Sequence, residues 1–239
     1  MSVLLKGALI EFMPTFLIPV PNVIVFQYNP ETLTHTWSQP EAAEPSETTQ
    51  NWPMAVKGMP GESFSFTIAM DANDEIADGS APTAAIAQVS GVYSRLAALE
   101  MLLYPAGPGV GGLLGAVSAA AAATLSDASS DDDQKTSVPA SILPVVLFVW
   151  GPGRIVPVRV TDLTITEQLY NGTLSPTHAE AQLSLRVLTP AELDAAADDQ
   201  HVMGTLAKGA YYYTLGLRQT LAAANLTNAG ESIVGMITH

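Results

Sequence analysis

Histidine is the residue type in this chain best suited to bind metal or to act as a base near neutral pH. Four histidines occur, at positions 35, 178, 201 and 239. None has another histidine four residues away, so no helix can present a paired metal site. His178 lies on the polar face of a predicted strand, where we expect an ordinary surface residue. The histidines therefore predict no metal site.

A second candidate is the acidic stretch "DANDEIADG", from Asp71 to Gly79, which superficially resembles a calcium-binding loop. The sixth position is Ile76, where an EF-hand requires glycine, and the twelfth is Pro82 rather than glutamate. The stretch therefore favours a polar turn between a strand and a helix.

No other pattern has the spacing that catalysis requires. The glycine-rich "GPGVGGLLG" lacks the GxGxxG arrangement and the Lys-Ser/Thr pair of a phosphate-binding loop. No G-x-S-x-G is present, and the chain has no cysteine. Asp74-Glu75 and Asp198-Asp199 show no apolar surroundings that would raise a carboxyl pKa. We therefore predict a protein that is not an enzyme, with no catalytic residue, no metal and no cofactor.

Composition narrows the classes of partner. The 239 residues are 48% hydrophobic and only 13% charged, with a formal net charge of -14. Such a charge argues against binding nucleic acid or an anionic membrane surface. The N-terminus has no signal-peptide pattern, and Ile142–Trp150 is about half as long as a membrane span. We expect a cytoplasmic protein without direct membrane insertion, which buries apolar surface against neighbouring subunits.

The first half of the chain predicts three strands followed by one helix. The strands are Lys6–Phe12, Asn22–Asn29 and Glu62–Met70, the last with clean alternation of apolar and polar residues. Seven apolar residues then recur at helical spacing within Thr83–Tyr104: Ile86, Val89, Val92, Tyr93, Leu96, Leu99 and Leu103. This pattern predicts a single amphipathic helix.

The second half predicts an antiparallel sheet between Leu143 and Leu188. Two alternating runs are split at Thr161-Asp162, and "NGTLSP" predicts a turn before a strand with one apolar and one polar face. "TPAELD" has the pattern of a capping box that opens a helix. Before this sheet, Pro105–Pro139 is rich in Gly, Ala and Asp, which predicts a flexible linker or, alternatively, an ordered loop that faces a partner.

Three segments occur in an order that resembles the contractile injection system tube-protein domain family. They are Phe26–Pro30 ("FQYNP"), Pro144–Gly151 ("PVVLFVWG") and Tyr170–Leu185, and the resemblance covers roughly residues 3–190. It implies a mainly β (α+β) domain, built as a tail-tube-like antiparallel β-barrel or sandwich with one packed helix. We therefore predict a β domain at residues 1–190, with the flexible insert 105–139, and a helical C-terminal tail at residues 191–239.

The resemblance implies a structural role in a phage-tail-like particle. Members form six-membered rings that stack coaxially, so the implied partners are copies of this chain, tube subunits above, and spike, hub or other baseplate proteins below. The turn at Ser175–His178 is slightly longer than the family pattern, and no LysM signature follows Pro190. These departures favour a tube initiator at the baseplate junction over a peptidoglycan-binding adaptor.

The predicted functional residues follow from this role. The wall of the channel is assigned to four polar residues, Glu167, Gln168, Glu180 and Gln182, and docking to Tyr211, Tyr212, Tyr213 and Leu215 in the tail. Two alternatives stay open: the main inner-tube subunit, and a stand-alone β-sandwich module that binds carbohydrate or peptide. The module would need an exposed aromatic platform, and Trp37, Trp52 and Trp150 are far apart in sequence.

Overall fold

The computed structural model describes residues 5–13, 20–42, 56–77, 81–104, 145–195 and 201–237. The predicted flexible insert 105–139 lies outside these residues, as do Trp52, His239 and the Asp198-Asp199 pair. The strands are β1 Ala8–Met13, β2 Val20–Val25, β3 Leu33–Ser38, β4 Glu41–Ala42, β5 Val56–Lys57, β6 Gly61–Asp71, β7 Val146–Val149, β8 Ile155–Tyr170 and β9 Pro176–Val187. The helices are α1 Ala72–Ala77, α2 Ala81–Ser90, α3 Tyr93–Met101, α4 Pro190–Ala195 and α5 His201–Ile237.

Seven of the strands form one antiparallel sheet in the order β2-β1-β7-β8-β9-β6-β3, and β4 pairs with β5 separately. The fold is mainly β with a few helices, as the sequence predicts. The sheet begins at β2 and ends at β3, so each of these strands has one partner strand among the described residues. Both outer edges therefore leave backbone N–H and C=O groups without a ladder partner in the described chain.

The longest pairing joins β8 and β9, and it contains a β-bulge. Val160 pairs with Leu185, whereas Asp162 pairs with Ser184, which leaves Thr161 as the extra residue. The apolar side chains of β8 change from even to odd positions at this point. The bulge absorbs that change, so Val160 and Leu163 both face the core. The predicted split at Thr161-Asp162 is thus a bulge within one continuous strand.

The main core lies on one face of the sheet. Phe64, Phe66 and Phe148 pack there in a chain of ring contacts with centroid distances of 5.3 and 5.4 Å. Leu96 and Leu99 of α3 belong to the same buried cluster. A smaller cluster of Leu147, Leu193 and Ala207 lies elsewhere. Because Leu147 alternates with the core residues of β7, its side chain points to the opposite face of the sheet.

The single helix predicted at Thr83–Tyr104 is wrong. The segment forms α2 and α3, separated at Gly91, whose φ of +59° is left-handed. A Cβ at Gly91 would lie 2.0 Å from the Pro176 carbonyl oxygen, and the Val92 N–H donates to that same oxygen at 2.9 Å. The contact with β9 therefore turns the chain here. Four of the seven predicted apolar positions are exposed in consequence: Ile86, Val89, Tyr93 and Leu103.

The chain turns sharply at the end of β7, in the segment "FVWGPG". Phe148 and Trp150 pack with ring centroids 6.1 Å apart, and Gly151 takes a φ of +69° in the turn to β8. The Trp150 N–H closes this turn by donating to the Arg154 carbonyl at 2.8 Å. Gly7 lies under the indole, where a Cβ would approach the ring to 2.8 Å. The apolar run and the glycines thus have a structural explanation.

The predicted capping box at the start of α4 is confirmed. The Thr189 N–H donates to Glu192 Oε2 at 2.9 Å, and the Glu192 N–H donates back to Thr189 Oγ1 at 3.4 Å. Glu192 also pairs with Arg186 of β9. The box therefore fixes where the chain leaves the sheet and enters the tail.

The first half of α5 packs on the β domain. Ala207 belongs to the smaller cluster, Tyr211 packs against the main core, and Thr214 is buried. The Thr214 hydroxyl donates to the Ile155 carbonyl at 2.7 Å and accepts from the Ile155 N–H at 3.1 Å. These bonds satisfy backbone groups at the start of β8, where β9 has already ended. Residues 219–226 of α5 are all exposed.

Candidate interaction surface

The face of the sheet opposite the main core is polar along β3, β6, β9 and β8. Its side chains are mostly hydroxyls and amides, and they face solvent over much of its area: Thr34, Thr36, Ser63, Ser65, Thr67, Glu180, Gln182, Ser184, Thr164 and Thr166. We call these ten residues the polar face. Such a surface needs no protein partner for its polar groups, since water satisfies them. It can therefore border a water-filled space.

Three of the four predicted channel-wall residues share this side of the sheet. Glu180 lies opposite Thr166, Gln182 lies opposite Thr164, and Gln168 lies opposite His178. All six side chains of these three pairs are polar, and all except the partly buried His178 are exposed. Glu167 instead lies opposite Ala179, which is fully buried in the core. The structure thus groups Gln168, Glu180 and Gln182 and separates Glu167 from them, because neighbouring strand residues alternate between faces.

The predicted docking residues of the tail divide between packed and exposed positions. Tyr211 packs against the main core, and burial raises its pKa. Leu215 is partly buried. Tyr212 and Tyr213 are about half exposed, and the Tyr213 hydroxyl donates to the Pro152 carbonyl at 2.9 Å. The structure therefore leaves Tyr212 and part of Tyr213 accessible to a partner.

A charged cluster that no sequence pattern indicated holds α5 to the sheet. Glu62 is 4% exposed, although it is a carboxylate. It accepts hydrogen bonds from both Arg218 amino groups, one of them at 2.8 Å, and pairs with His35 Nε2 at 2.8 Å. The Arg218 guanidinium also stacks over the Trp37 ring at 4.9 Å. Glu62 and Arg218 are 156 residues apart, so no local pattern could join them.

The electrostatics of this cluster depend on burial. Burial lowers the pKa of His35 below its ordinary value, although the Glu62 carboxylate acts in the opposite direction. Burial and the neighbouring Arg218 also lower the pKa of Arg154, whose guanidinium lies 5.3 Å from the centre of the Phe64 ring. His35 is therefore neutral near pH 7, and Arg218 is the cation that balances Glu62.

The "FQYNP" segment makes internal contacts. The Gln27 amide donates to the Asp71 carbonyl at 2.8 Å and accepts from the Asp71 N–H at 2.9 Å. Asn29 accepts from the Gly7 N–H at 2.9 Å and donates to the Leu5 carbonyl at 2.8 Å. Phe26 is buried against Trp150. This segment thus ties the end of β6 to the start of β1.

Asp71–Gly79, predicted as a polar turn, forms the short helix α1 over Ala72–Ala77. The Asp71 carboxylate accepts from the Asn73 N–H at 2.8 Å and lies 3.3 Å from His178 Nδ1. Burial raises the Asp71 pKa, but these two hydrogen bonds lower it by more, so the net shift is downward. Within the described ranges, no group of three or more His, Asp or Glu side chains could hold a metal ion.

Of the two described tryptophans, neither provides an open aromatic platform. Trp150 packs in the core, and the exposed ring of Trp37 carries the Arg218 guanidinium on one side and contacts His35 at 5.1 Å. The part of the chain that the structure describes thus offers little to a stand-alone glycan-binding module, whose sugar rings would stack on free aromatic faces.

Two exposed apolar features lie at opposite ends of β8. The hairpin tip, which we define as Leu169, Tyr170 and Leu174, lies where β8 turns into β9. The apolar groove lies where β8 begins, between α5 and the sheet, with a volume of about 820 Å³. Its lining is Leu147, Ile155, Thr205, Leu206, Gly209, Ala210 and Tyr213.

No protein-family model matches the chain, and no curated protein is detectably similar to it in sequence. Among the described residues, no helix is both long enough and apolar enough to cross a membrane.

Proposed function

We propose that this protein is a structural subunit of a contractile injection particle, in which six copies form a ring at the junction of baseplate and inner tube. The ring initiates or extends the tube. Its partners are other copies of this chain, tube subunits on one side, and spike, hub or other baseplate proteins on the other. The particle assembles in the cytoplasm. Besides the sequence resemblance, the proposal is supported by the shape of the sheet.

The observation that carries the proposal is a two-faced sheet with free edges. One face carries the main core, to which α3 contributes Leu96 and Leu99, while the polar face is open to water. The end strands β2 and β3 each have an outer edge without a partner strand in the described chain. If β2 of one copy pairs with β3 of the next, the backbone groups at both edges gain partners and the sheets become continuous. Closing such a chain of copies surrounds a channel.

The polar face supplies the wall of that channel. Its hydroxyl and amide groups hold water, and Glu180 is the one charged residue among the ten. Two further charged residues share this side of the sheet, Asp162 opposite Ser184 and Arg186 opposite Ser63. Gln168 and His178 extend the same side towards the hairpin. The tail helix α5 packs against Leu147 of β7 and Ile155 at the start of β8 rather than on these ten residues. Its exposed Tyr212 gives the ring a second surface for baseplate proteins.

The experiment is to measure the mass and the shape of the purified protein by sedimentation and negative-stain microscopy. We expect rings of six copies, or short tubes built from them. A protein that remains monomeric at all accessible concentrations would contradict the proposal.

A pair of variants tests the role of the strand edge. Val23 and Val25 are about half exposed on β2, and lysines on an edge strand oppose pairing. V23K/V25K should therefore abolish the rings. A85K/Q88K adds the same two charges at exposed positions of α2 and should leave the rings intact. Rings that survive V23K/V25K would refute edge pairing as the contact between copies.

A further inference from the structure

The hairpin tip is unusually apolar for a solvent-exposed turn. Leu169, Tyr170 and Leu174 are 69%, 54% and 80% exposed. Isolated exposed apolar residues are common in proteins, but three at one tip form a patch that favours a partner. The segment from Leu169 to Ser175 contains no charged residue.

The backbone at this tip is strained, which also indicates that the tip binds a partner. Leu169 has a φ of +52° and Leu174 a φ of +61°, a left-handed conformation that bulky residues rarely adopt. Asparagine or glycine would fit these positions with less strain. Leucine there brings no benefit to the isolated fold, because both side chains point into solvent.

The tip is also held in one shape. The Asn171 side-chain oxygen accepts hydrogen bonds from the Thr173 N–H at 3.0 Å, the Thr173 hydroxyl at 2.7 Å and the Ser175 N–H at 2.9 Å. The Ser175 hydroxyl donates to the Val89 carbonyl of α2 at 3.4 Å. A loop fixed in this way loses little conformational entropy when its side chains enter a partner.

The apolar groove complements the tip. Neither the groove lining nor the tip carries a charge. The lining of the groove includes Gly209, which has no side chain, and Ala210, which has a small one, between the larger residues Leu206 and Tyr213. In a chain with a net charge of -14, two copies repel each other over most of their surfaces. Uncharged surfaces are where two copies approach each other at the lowest electrostatic cost.

The two features cannot meet within one chain. Ile155 in the groove and Tyr170 at the tip are the first and last residues of β8, which has 16 residues and is therefore about 50 Å long. A tip at one end of a strand and a groove at the other allow a head-to-tail contact between copies, because each copy offers one of each.

We propose that the hairpin tip of one copy inserts into the apolar groove of a second copy, with Leu174 against Leu206. The occupant of the groove is thus a second copy of this chain. Two leucines and a tyrosine with these exposures present on the order of 400 Å², and a single contact is smaller than a stable interface requires. The contact is therefore weak between two isolated copies and becomes strong when several form together.

Engineered cysteines test the contact directly, because the chain has none of its own. Under mild oxidation, the double variant L174C/L206C should form a ladder of disulfide-linked oligomers. L174C/L221C is the matched control, since Leu221 is 69% exposed but lies outside the groove. A ladder for L174C/L206C at least ten times more abundant than for the control supports the proposal. Equal ladders, or none, overturn it.

A second variant measures the contact without a cross-link. L174N suits the left-handed backbone and removes the apolar side chain, so the protein should stay folded while its self-association weakens at least tenfold in sedimentation. L221N, the control, should associate like the unmodified protein. If L174N also associates like the unmodified protein, or if the unmodified protein does not associate at all, the proposal fails.

The proposed tip contact does not depend on the proposed ring. The cross-linking result and the ring result can therefore be judged separately. Rings of six without the L174C–L206C cross-link would leave the proposed function intact and refute the tip contact. A specific cross-link in open chains without rings would establish the tip contact and refute the ring.

Discussion

Replacing Arg218 by methionine should destabilise the protein, because Glu62 would lose its main partner. Removing one partner of a fully buried ion pair costs about 3–5 kcal/mol. Arg218 is 30% exposed and His35 still contacts Glu62, so water and the imidazole offset part of this loss. Methionine also retains an apolar stem over Trp37. We therefore expect a loss of about 2–3 kcal/mol, which lowers Tm by about 5–10 °C in a chain of this length.

The assay is equilibrium unfolding in urea of four proteins: unmodified, R218M, E62Q and the double variant. If the carboxylate and guanidinium stabilise each other, the double variant loses less than the sum of the two single losses, with a coupling of about 1.5–2 kcal/mol. R218K serves as the conservative control, since lysine keeps the charge but cannot donate both hydrogen bonds, and it should fall between R218M and the unmodified protein. A loss below about 1 kcal/mol for R218M, or fully additive losses, would refute the reasoning.

Four further predictions concern stability. G91A should cost at least about 2 kcal/mol in urea unfolding, because its φ is +59° and a Cβ would lie 2.0 Å from a β9 carbonyl, whereas G153A, with open space around it, should be neutral. Below pH 7 the stability should fall, because the lowered pKa of His35 makes the unfolded chain bind more protons, and H35Q should reduce the slope of unfolding free energy against pH. L174N should raise the unfolding free energy by about 0.5–1 kcal/mol by relieving a φ of +61°, and a lower value would contradict the strain. A chain ending at Thr220 should unfold within about 0.5 kcal/mol of the full chain in calorimetry, since residues 221–226 are exposed; a larger loss would show that the end of α5 packs.

The strands predicted from the sequence were those with the clearest alternation of apolar and polar residues. β6 and β9 each bury about one side chain in two, and this period survives in the sequence because one face is core and the other is water. The change from even to odd apolar positions near Thr161 was also visible, but it was predicted as a split between two runs rather than as a bulge within one strand. Local pattern was sufficient here because each strand's burial repeats every second residue.

The errors came from residues whose conformation depends on distant parts of the chain. The helical spacing around Gly91 is continuous, yet the approach of the Pro176 carbonyl turns the backbone there. β3 was missed because β6 is its only strand partner among the described residues and five of its six residues are polar or exposed. Leu33, His35 and Trp37 do alternate with hydroxyl residues, which is the signal that could have identified the strand.

The candidate surfaces were predictable in part. Alternation along β9 identified Glu180 and Gln182 as members of an exposed polar side, but Glu167 was assigned to that side without a register, which only the pairing with Ala179 supplies. The groove could not be predicted, because it lies between a helix and the start of a strand some 50 residues apart in sequence. The tip was predicted as a turn, and its left-handed leucines are visible only in the backbone angles.

Two of the segments that carry the resemblance, Phe26–Pro30 and Pro144–Gly151, bear on the fold more than on a position in the proposed particle. Gln27 forms hydrogen bonds with the backbone of β6, and Asn29 forms them with residues just before β1. Phe26 and Trp150 pack on each other inside the core. No exposed surface is built from these side chains. A ring at the baseplate and a ring within the tube could share all of these contacts, since both need the same sheet. The difference between an initiator and a main tube subunit must then lie in surfaces outside these segments. The described chain offers two such surfaces, the hairpin tip at one end of β8 and the exposed residues 219–226 of α5, and partners that bind one but not the other would assign the position.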